Sequence, residues 1–518
     1  MSTVEPIPFA ASTDDVLAEL SALRAHDAPT HGGRVLSYVY DSGLAELDDL
    51  AASAARLVQP VNGLDPTTFV SVAALEGDVV GFARTVFHGD EDVVGSVTSG
   101  GTESCLLAVK TARDAWRAEG GDGTPRLVAP STVHAAFHKA AEYFGLELDL
   151  VPVDPATGAP AIADVAARLG DDVALLVASA PSYPFATLDP VQEFAALALE
   201  HGVPLHVDAC IGGFALAFDA GWTVGARADG ELLPAWDFAV PGVTSLSADL
   251  HKYGYAPKGV SVLLHRGRDR QRRQWFATTA WPGYPVVNPT LVGSKPAGPL
   301  AAAWAIIRRL GVDGFDALSR RTAEATAVLV ETVRGIDGLV VVGEPVGPLF
   351  AVAADETVAP ERRIDPHHWA DAVGAHGFKV QLQPGLVQAD GRRLPHTAHL
   401  TITPATAGVL DELVAALVAG ADAARGAASI DAGAVLAGLG ADPAAGAAVG
   451  ALLANPEAAA ALTSEQAAGI LGALGLAGAD GPALPDSLAP VLALVEALPG
   501  ELVERLLIEL LARVVEPR

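Results

Sequence analysis

The chain reads as α/β, with a mostly parallel sheet, then a smaller α+β region and a helical appendage. Three observations carry this. From about residue 90 to 265, short apolar or β-branched runs alternate with longer stretches of helical periodicity. Half of the 518 residues are hydrophobic and 18% are charged, the balance of a globular chain. Beyond residue 427, alanine and glycine dominate and aromatics almost vanish. Strands separated by helices imply a parallel sheet with right-handed crossovers. Ligands of such sheets bind beyond the strands' carboxyl ends.

Taken in order, residues 14–60 have helical spacing around Val16, Leu17 and Leu20, then Leu44, Leu47 and Leu50. The expected strands of the sheet are 93–97, 126–128, 148–153, 173–178, 204–207 and 260–264, with helices including 102–118 and 134–144. The later region shows a long helix at 316–336 and strands near 339–342, 349–353 and 400–402. A helix at 405–424 follows. In the appendage, the last helix (501–515) carries a stripe of Leu502, Leu506, Leu507, Leu510 and Val514. The expected divisions are an N-terminal helical segment (1–60), a large ligand-binding domain (61–310), a small α+β domain (311–426) and the Ala-rich appendage (427–518).

Composition also excludes. A net charge of −29 argues against nucleic acid or an anionic membrane surface as partner. Mean hydropathy is high at +0.34, but alanine-rich helices account for it. No apolar run approaches the ~20 residues of a spanning helix; the richest, 300–307, ends at Arg308-Arg309. The N-terminus lacks a basic segment followed by an apolar one, so no secretory signal or membrane anchor is expected and the cytoplasm is the natural compartment. The two cysteines, Cys105 and Cys210, are too few for a disulfide framework or a metal site.

Five stretches carry chemistry. Val97-Thr98-Ser99-Gly100-Gly101-Thr102-Glu103-Ser104 follows a strand and opens a helix. Adjacent glycines bring bare N–H groups near a ligand, and a helix N-terminus favours negative charge, so this is a phosphate cradle without a Walker lysine. An ordinary strand–helix turn with Thr102 as N-cap fits equally well. His134, at a helix start, is placed either to stack on a planar ring or to be a satisfied helix-end histidine. Asp208 ends the apolar run 203–207, where a buried acid calls for a cationic partner; it also fits a helix N-cap. Lys252 lies in Ser247-Ala248-Asp249-Leu250-His251-Lys252-Tyr253-Gly254-Tyr255-Ala256-Pro257-Lys258-Gly259. A buried lysine shifts its pKa readily and attacks aldehydes; taken alone, the stretch also fits an exposed lysine before a turn. Gly293-Ser294-Lys295-Pro296 sits in a loop before a helix and offers a second phosphate contact.

The order of these stations resembles the fold-type I pyridoxal-phosphate enzymes, in the group II decarboxylase set. TSGGTES, HVDACIGGF and SADLHKYGYAPKG are most similar to the sphingosine-1-phosphate lyase family, from about residue 35 to 425. The resemblance implies the fold-type I transferase fold, with Lys252 holding pyridoxal 5'-phosphate as a Schiff base. Asp208 would pair with the pyridine nitrogen and His134 would stack on the ring. Gly100, Gly101, Thr102, His251 and Ser294 would hold the phosphate, while Lys258 and Tyr40 would face substrate. It further implies a homodimer whose active sites are shared through the Ser294 loop. On the substrate side the chain departs from the family: Asp65 and Phe185 stand where it has histidines, Val286 for a tyrosine and Lys295 for an arginine.

The reading that follows is a carbon–carbon lyase acting on an amine or amino acid, cleaving in the retro-aldol sense to release an aldehyde. An amino-acid decarboxylase would use the same cofactor site. A scaffold or binding role through the C-terminal appendage is the alternative of another class, against which intact Lys252 and Asp208 argue.

Overall fold

The computed structural model describes residues 10–218, 222, 233–430, 433, 459, 461–474, 476–478, 481–482 and 487–517; most of 431–460 in the expected appendage lies outside them. A seven-stranded sheet forms the centre: β1 (Val93–Thr98), β2 (Arg126–Pro130), β3 (Glu147–Val151), β4 (Val173–Ser179), β5 (Leu205–Asp208), β6 (Val243–Ala248) and β7 (Ser261–Arg266). The spatial order is β1-β7-β6-β5-β4-β2-β3. Every pairing is parallel except those of β7, which runs antiparallel to β1 and β6. The sequence reading missed β6. Its serines break the apolar run, yet Ser245 and Ser247 are buried, because His206 on β5 accepts or donates to both hydroxyls at 2.9 and 3.1 Å.

Helices α1 (Thr13–Arg24) and α2 (Ala45–Leu57) come first, and α3 (Val70–Val86), α4 (Gly101–Ala118), α5 (Ala135–Phe144) and α6 (Val191–His201) pack on the sheet. Gly145 and Gly202 end α5 and α6 in the left-handed conformation, at φ 68° each. A long helix, α7 (Gly298–Arg334), runs from the large core into the small one and bends at Gly311, φ 59°. It begins well before the expected 316, since the kink at Gly311 hides the continuity in the sequence.

The small region pairs β8 (Leu339–Val341), β9 (Leu349–Ala354), β10 (Gln381–Gln383) and β11 (Thr397–Thr401), all antiparallel, in the order β8-β9-β11-β10. Helices α8 (Pro366–Gly374) and α9 (Leu410–Ala424) cover it, burying Trp369 and Leu417. The N-terminal segment joins this unit. Leu36 donates its N–H to the Lys379 carbonyl and accepts from the Thr401 N–H, both at 2.8 Å. That pairing aims Tyr38 and Tyr40 at the junction of the two cores.

The appendage contains α10 (Ser464–Ala473), α11 (Ala489–Ala497) and α12 (Gly500–Val514) around their own apolar cluster. The expected stripe is only half right. Leu502, Leu506 and Leu510 are buried, whereas Leu507 and Val514 face solvent with Ile508 and Leu511. At 100° per residue, Leu507 and Val514 fall on the flank of the stripe, outside the reach of α10. Helix α1 buries none of its residues.

Candidate active site

Parallel strands end on one edge, and this gathers the motifs. The segments after β1, β2 and β6 carry Gly100-Gly101, His134 and Lys252, and Asp208 is the last residue of β5. Of these, Lys252 and His134 line a cavity of about 510 Å³, with Tyr40, Tyr183 and Phe185 from the large domain and N-terminal segment. Gln383, Leu386, Leu394 and Pro395 close it from the small domain.

Lys252 is anchored by a residue the sequence reading did not single out. Its Nζ lies 3.0 Å from Oδ2 of buried Asp249, which is also 3.4 Å from His251 Nε2. Burial alone would push the Lys252 ammonium toward neutrality. The Asp249 carboxylate outweighs it, so the pKa is raised rather than lowered. Burial opposes the charge on Asp249 too, but Lys252 and His251 hold its carboxyl below the usual range. The aspartate three residues before the lysine was the available signal: a turn places both side chains on one side.

Gly101 is required by the same aspartate. A Cβ there would lie 2.6 Å from Asp249 Oδ2 and 2.9 Å from Cys210 Sγ. Gly100, at φ 154°, is the N-cap of α4, with the His251 ring packed 3.2 Å from where its Cβ would be. Thr102 therefore does not cap the helix; its side chain is exposed at the first turn. Glu103 is buried and ties the cradle to a distant loop, accepting from the N–H of Ser99 (2.6 Å) and of Leu291 (2.5 Å).

His134 caps α5: its Nδ1 accepts from the Ala136 N–H at 3.1 Å. This bond satisfies the helix-end reading and fixes the ring at the cavity wall. Burial pushes its pKa down, so the ring is neutral and carries its proton on Nε2. Asp208 accepts from the Cys210 N–H at 3.0 Å through Oδ1, with Ser247 Oγ a distant 3.5 Å. Its other oxygen takes no hydrogen bond among the described residues. Cys105 and Cys210 approach to 4.0 Å between their sulfurs, and with Asp208 they bring three ligand-type atoms within 4.8 Å. Counting cysteines alone did not foresee this grouping. Its bond to Cys105, with burial, keeps the Cys210 thiol protonated, and that thiol donates to Ser247 Oγ at 3.2 Å.

Tyr40 packs edge-on against Tyr253, and Lys258 Nζ sits 4.4 Å above the Tyr40 ring. The Lys258 side chain is largely exposed, but its ammonium is enclosed by that ring and the His251 carbonyl, 3.2 Å away. Desolvation, then the Lys252 charge, push its pKa down to about 8. Tyr183 stacks on His399 with centroids 4.3 Å apart; it was not anticipated, because its neighbour Phe185 drew the comparison.

Ser294 is not brought to this cavity within one chain. It is exposed and accepts from Asn62 Nδ2 at 3.2 Å. Its neighbours Gly293 and Lys295 line a separate cavity of about 960 Å³ with Asp65, Val286, Trp275 and Tyr284. Three of the four substrate-side departures therefore lie away from Lys252, and only Phe185 faces the Lys252 cavity. Asp65 is satisfied locally, accepting from the Thr67 and Thr68 hydroxyls at 2.6 and 2.7 Å.

The residues fit pyridoxal phosphate. Gly101 opens a helix N-terminus onto buried polar groups, Asp208 keeps an unpartnered oxygen for a pyridinium N–H, and His134 presents a fixed neutral ring beside Lys252. Fold and site together define a fold-type I enzyme dependent on pyridoxal 5'-phosphate. Residues 71–351 match the pyridoxal-dependent decarboxylase conserved domain, and the chain belongs to that family. Residues 447–513 match the pyridoxal-dependent enzyme, C-terminal putative HTH domain. Sphingosine-1-phosphate lyase of Drosophila melanogaster is 38% identical over 323 residues, covering 62% of this chain and 58% of that enzyme. The Oryza sativa enzyme of the same name is 32% identical over 407 residues, covering 77% and 70%. The chain thus spans under two thirds of the fruit-fly enzyme's length. The solved Burkholderia pseudomallei sphingosine-1-phosphate lyase superposes with a TM-score of 0.72 at 32% identity, covering 82% of this chain and 94% of that one. Lactobacillus brevis glutamate decarboxylase shares the fold, with a TM-score of 0.69 at 19% identity. No described helix is long and apolar enough to cross a membrane.

Proposed function

We propose that this protein is a carbon–carbon lyase that cleaves a β-hydroxy amine in the retro-aldol sense, releasing an aldehyde. The observation that carries it is the lining of the Lys252 cavity: besides Lys252, it consists of His134, tyrosines, Gln381 and Gln383, hydroxyl residues and apolar side chains. Such a lining suits an amine with an uncharged chain. The carboxylate of an amino acid calls instead for a cation in its wall. Similarity to the sphingosine-1-phosphate lyases supports the same reading.

Pyridoxal phosphate, when bound, supplies the electron sink for the bond that breaks at the substrate's α-carbon. The chain's own residues do the rest. Asp208 holds a proton on the ring nitrogen by its charge. His134, locked by the Ala136 N–H, keeps one face of the site flat. Lys252 would hold the cofactor, and its Nζ, 3.0 Å from the Asp249 carboxylate, would carry protons in the site. Tyr40 in the cavity wall, with Lys258 beside its ring, would take the β-hydroxyl proton, and Lys258 near pKa 8 has the neutral form available. Phe185, buried in the wall, disfavours a phosphate at that end of the substrate.

The test is product analysis. Sphinganine should yield aldehyde, its 1-phosphate should react more slowly, and amino acids should release no CO2. Release of CO2 from an amino acid as the main reaction would overturn the proposal in favour of decarboxylation. In the same assay Asp208→Asn should fold, bind cofactor and lose at least about a hundredfold in kcat, since an amide cannot hold the ring proton.

The active unit is proposed to be a homodimer acting in the cytoplasm. Exposed Trp275, Phe276, Tyr284 and Leu291 cluster with the Ser294 loop, and α1 exposes Val16, Leu17, Leu20 and Leu23; apolar patches of this kind mark interfaces. Glu103 links that loop to the phosphate cradle. A partner's loop would thus reach the other chain's site, giving Ser294 its expected contact.

The C-terminal appendage does not read as a nucleic-acid module. Residues 427–518 contain eleven Asp or Glu, three Arg and no Lys, whereas a DNA-reading helix pair needs a basic face.

A further inference from the structure

The small-domain wall of the Lys252 cavity is a thin layer with the appendage on its far side. The hairpin pairing Leu386 with Leu394 and Val387 with Arg393 supplies Leu386, Leu394 and the adjoining Pro395 to the cavity. Its turn is pinned to the large domain by Gln388. That side chain accepts from Ser131 Oγ and the Val153 N–H, both at 2.7 Å, and donates to the Val153 carbonyl at 2.9 Å.

The residues alternating with the cavity wall face the other way. Arg393 forms an ion pair with Glu496 of α11. His396 lies 3.7 Å from Glu496 through Nδ1 and 3.2 Å from Asp365 through Nε2. Glu496 is 12% exposed, and a Cβ on Gly385 would come within 3.2 Å of its Oε2, so the carboxylate also abuts the entry to the hairpin. Asp365 is fixed as the N-cap of α8, and His367 on that helix donates from Nε2 to the Gln383 carbonyl at 3.0 Å. A cavity of about 310 Å³ lies among these groups. With Arg393 among the carboxylates and imidazoles, the cluster is an ion-pair network rather than a metal site.

We propose that Glu496 is a positioning residue for the substrate pocket: through Arg393 and His396 it holds the 384–396 hairpin, and with it Leu386, Leu394 and Pro395, in the shape that receives substrate. The appendage is thereby part of the active-site architecture. This rests on the reading that the Lys252 cavity takes the substrate. Removing the carboxylate leaves Lys252, Asp208, His134 and the Gly101 cradle untouched, so it changes substrate fit and not cofactor binding.

The experiment uses the full-length holoenzyme in four forms: wild type, Glu496→Gln, the charge swap Glu496→Arg with Arg393→Glu, and Glu504→Gln on α12 as control. Amide hydrogen exchange across 384–396 is read first, because it needs no turnover. Glu496→Gln should speed exchange there roughly tenfold, the size of one lost part-buried ion pair, with cofactor absorbance unchanged. With sphinganine as probe, KM should rise about five- to tenfold with kcat within about twofold, and the charge swap should recover most of both changes. Wild-type exchange across 384–396 in Glu496→Gln would overturn the inference. So would loss of cofactor together with faster exchange throughout the chain. A wild-type enzyme that ignores sphinganine refutes the proposed reaction and leaves the exchange comparison to decide this point.

Discussion

At the scale of single residues, Asp249 decides how Lys252 behaves. A lysine enclosed by protein would ordinarily lose its charge, yet this one is held as an ammonium by a carboxylate 3.0 Å away. Asp249→Asn removes that hold and leaves burial alone, so the Lys252 pKa should fall. The pH midpoint for labelling Lys252 by an aldehyde and borohydride should drop by at least about one unit; an unchanged midpoint would show that Asp249 is structural. Lys258 behaves in the opposite sense, with its pKa already depressed to about 8. Its neutral form gains population as pH rises through 8. kcat/KM should therefore climb over that range, and Lys258→Met should flatten the limb.

At the scale of elements, β5 and β6 are stitched by a histidine. His206 is fully buried between Ser245 and Ser247, and burial pushes its pKa down to about 4. The folded state thus refuses a proton that the unfolded chain accepts below about pH 6.5. The stability contributed by the neutral ring is complete above that pH and is lost as pH falls toward 4. Thermal unfolding should show the midpoint dropping across this window, with roughly 2–3 kcal/mol belonging to His206. His206→Asn should be less stable at pH 7 but should lose less between pH 6.5 and 4. Of the two, β6 was hard to read beforehand: it presents serines at buried positions, and the pairing with His206 explains why they are tolerated there.

At the scale of the whole molecule, the uncovered surfaces predict assembly. The α1 leucines, Trp275, Phe276 and the Ser294 loop all lie outside one chain's core. Light scattering should give twice the chain mass, and a heterodimer of Lys252→Ala with Ser294→Ala should regain activity at one of its two sites. An active monomer would exclude a shared site.

What the sequence determined by itself is the class of chemistry, through the order of its motifs and their resemblance to a pyridoxal-phosphate family. The Gly100-Gly101 turn, His134, Asp208 and Lys252 each sit at a strand end, and local rules for turns, caps and buried charge identify such positions without knowledge of neighbours. Only the tertiary structure decided which groups from distant segments meet them. Tyr183 entered the site by packing on His399. Leu386, Leu394 and Pro395 reached Lys252 by the docking of the small domain, and Glu496 reached their far side from the appendage. Ser294 was left outside the cavity of its own chain. The reason is physical: strand-end chemistry is written in local backbone geometry, whereas a pocket wall is set by how separate cores pack, and packing depends on shape and burial that no short stretch of sequence contains.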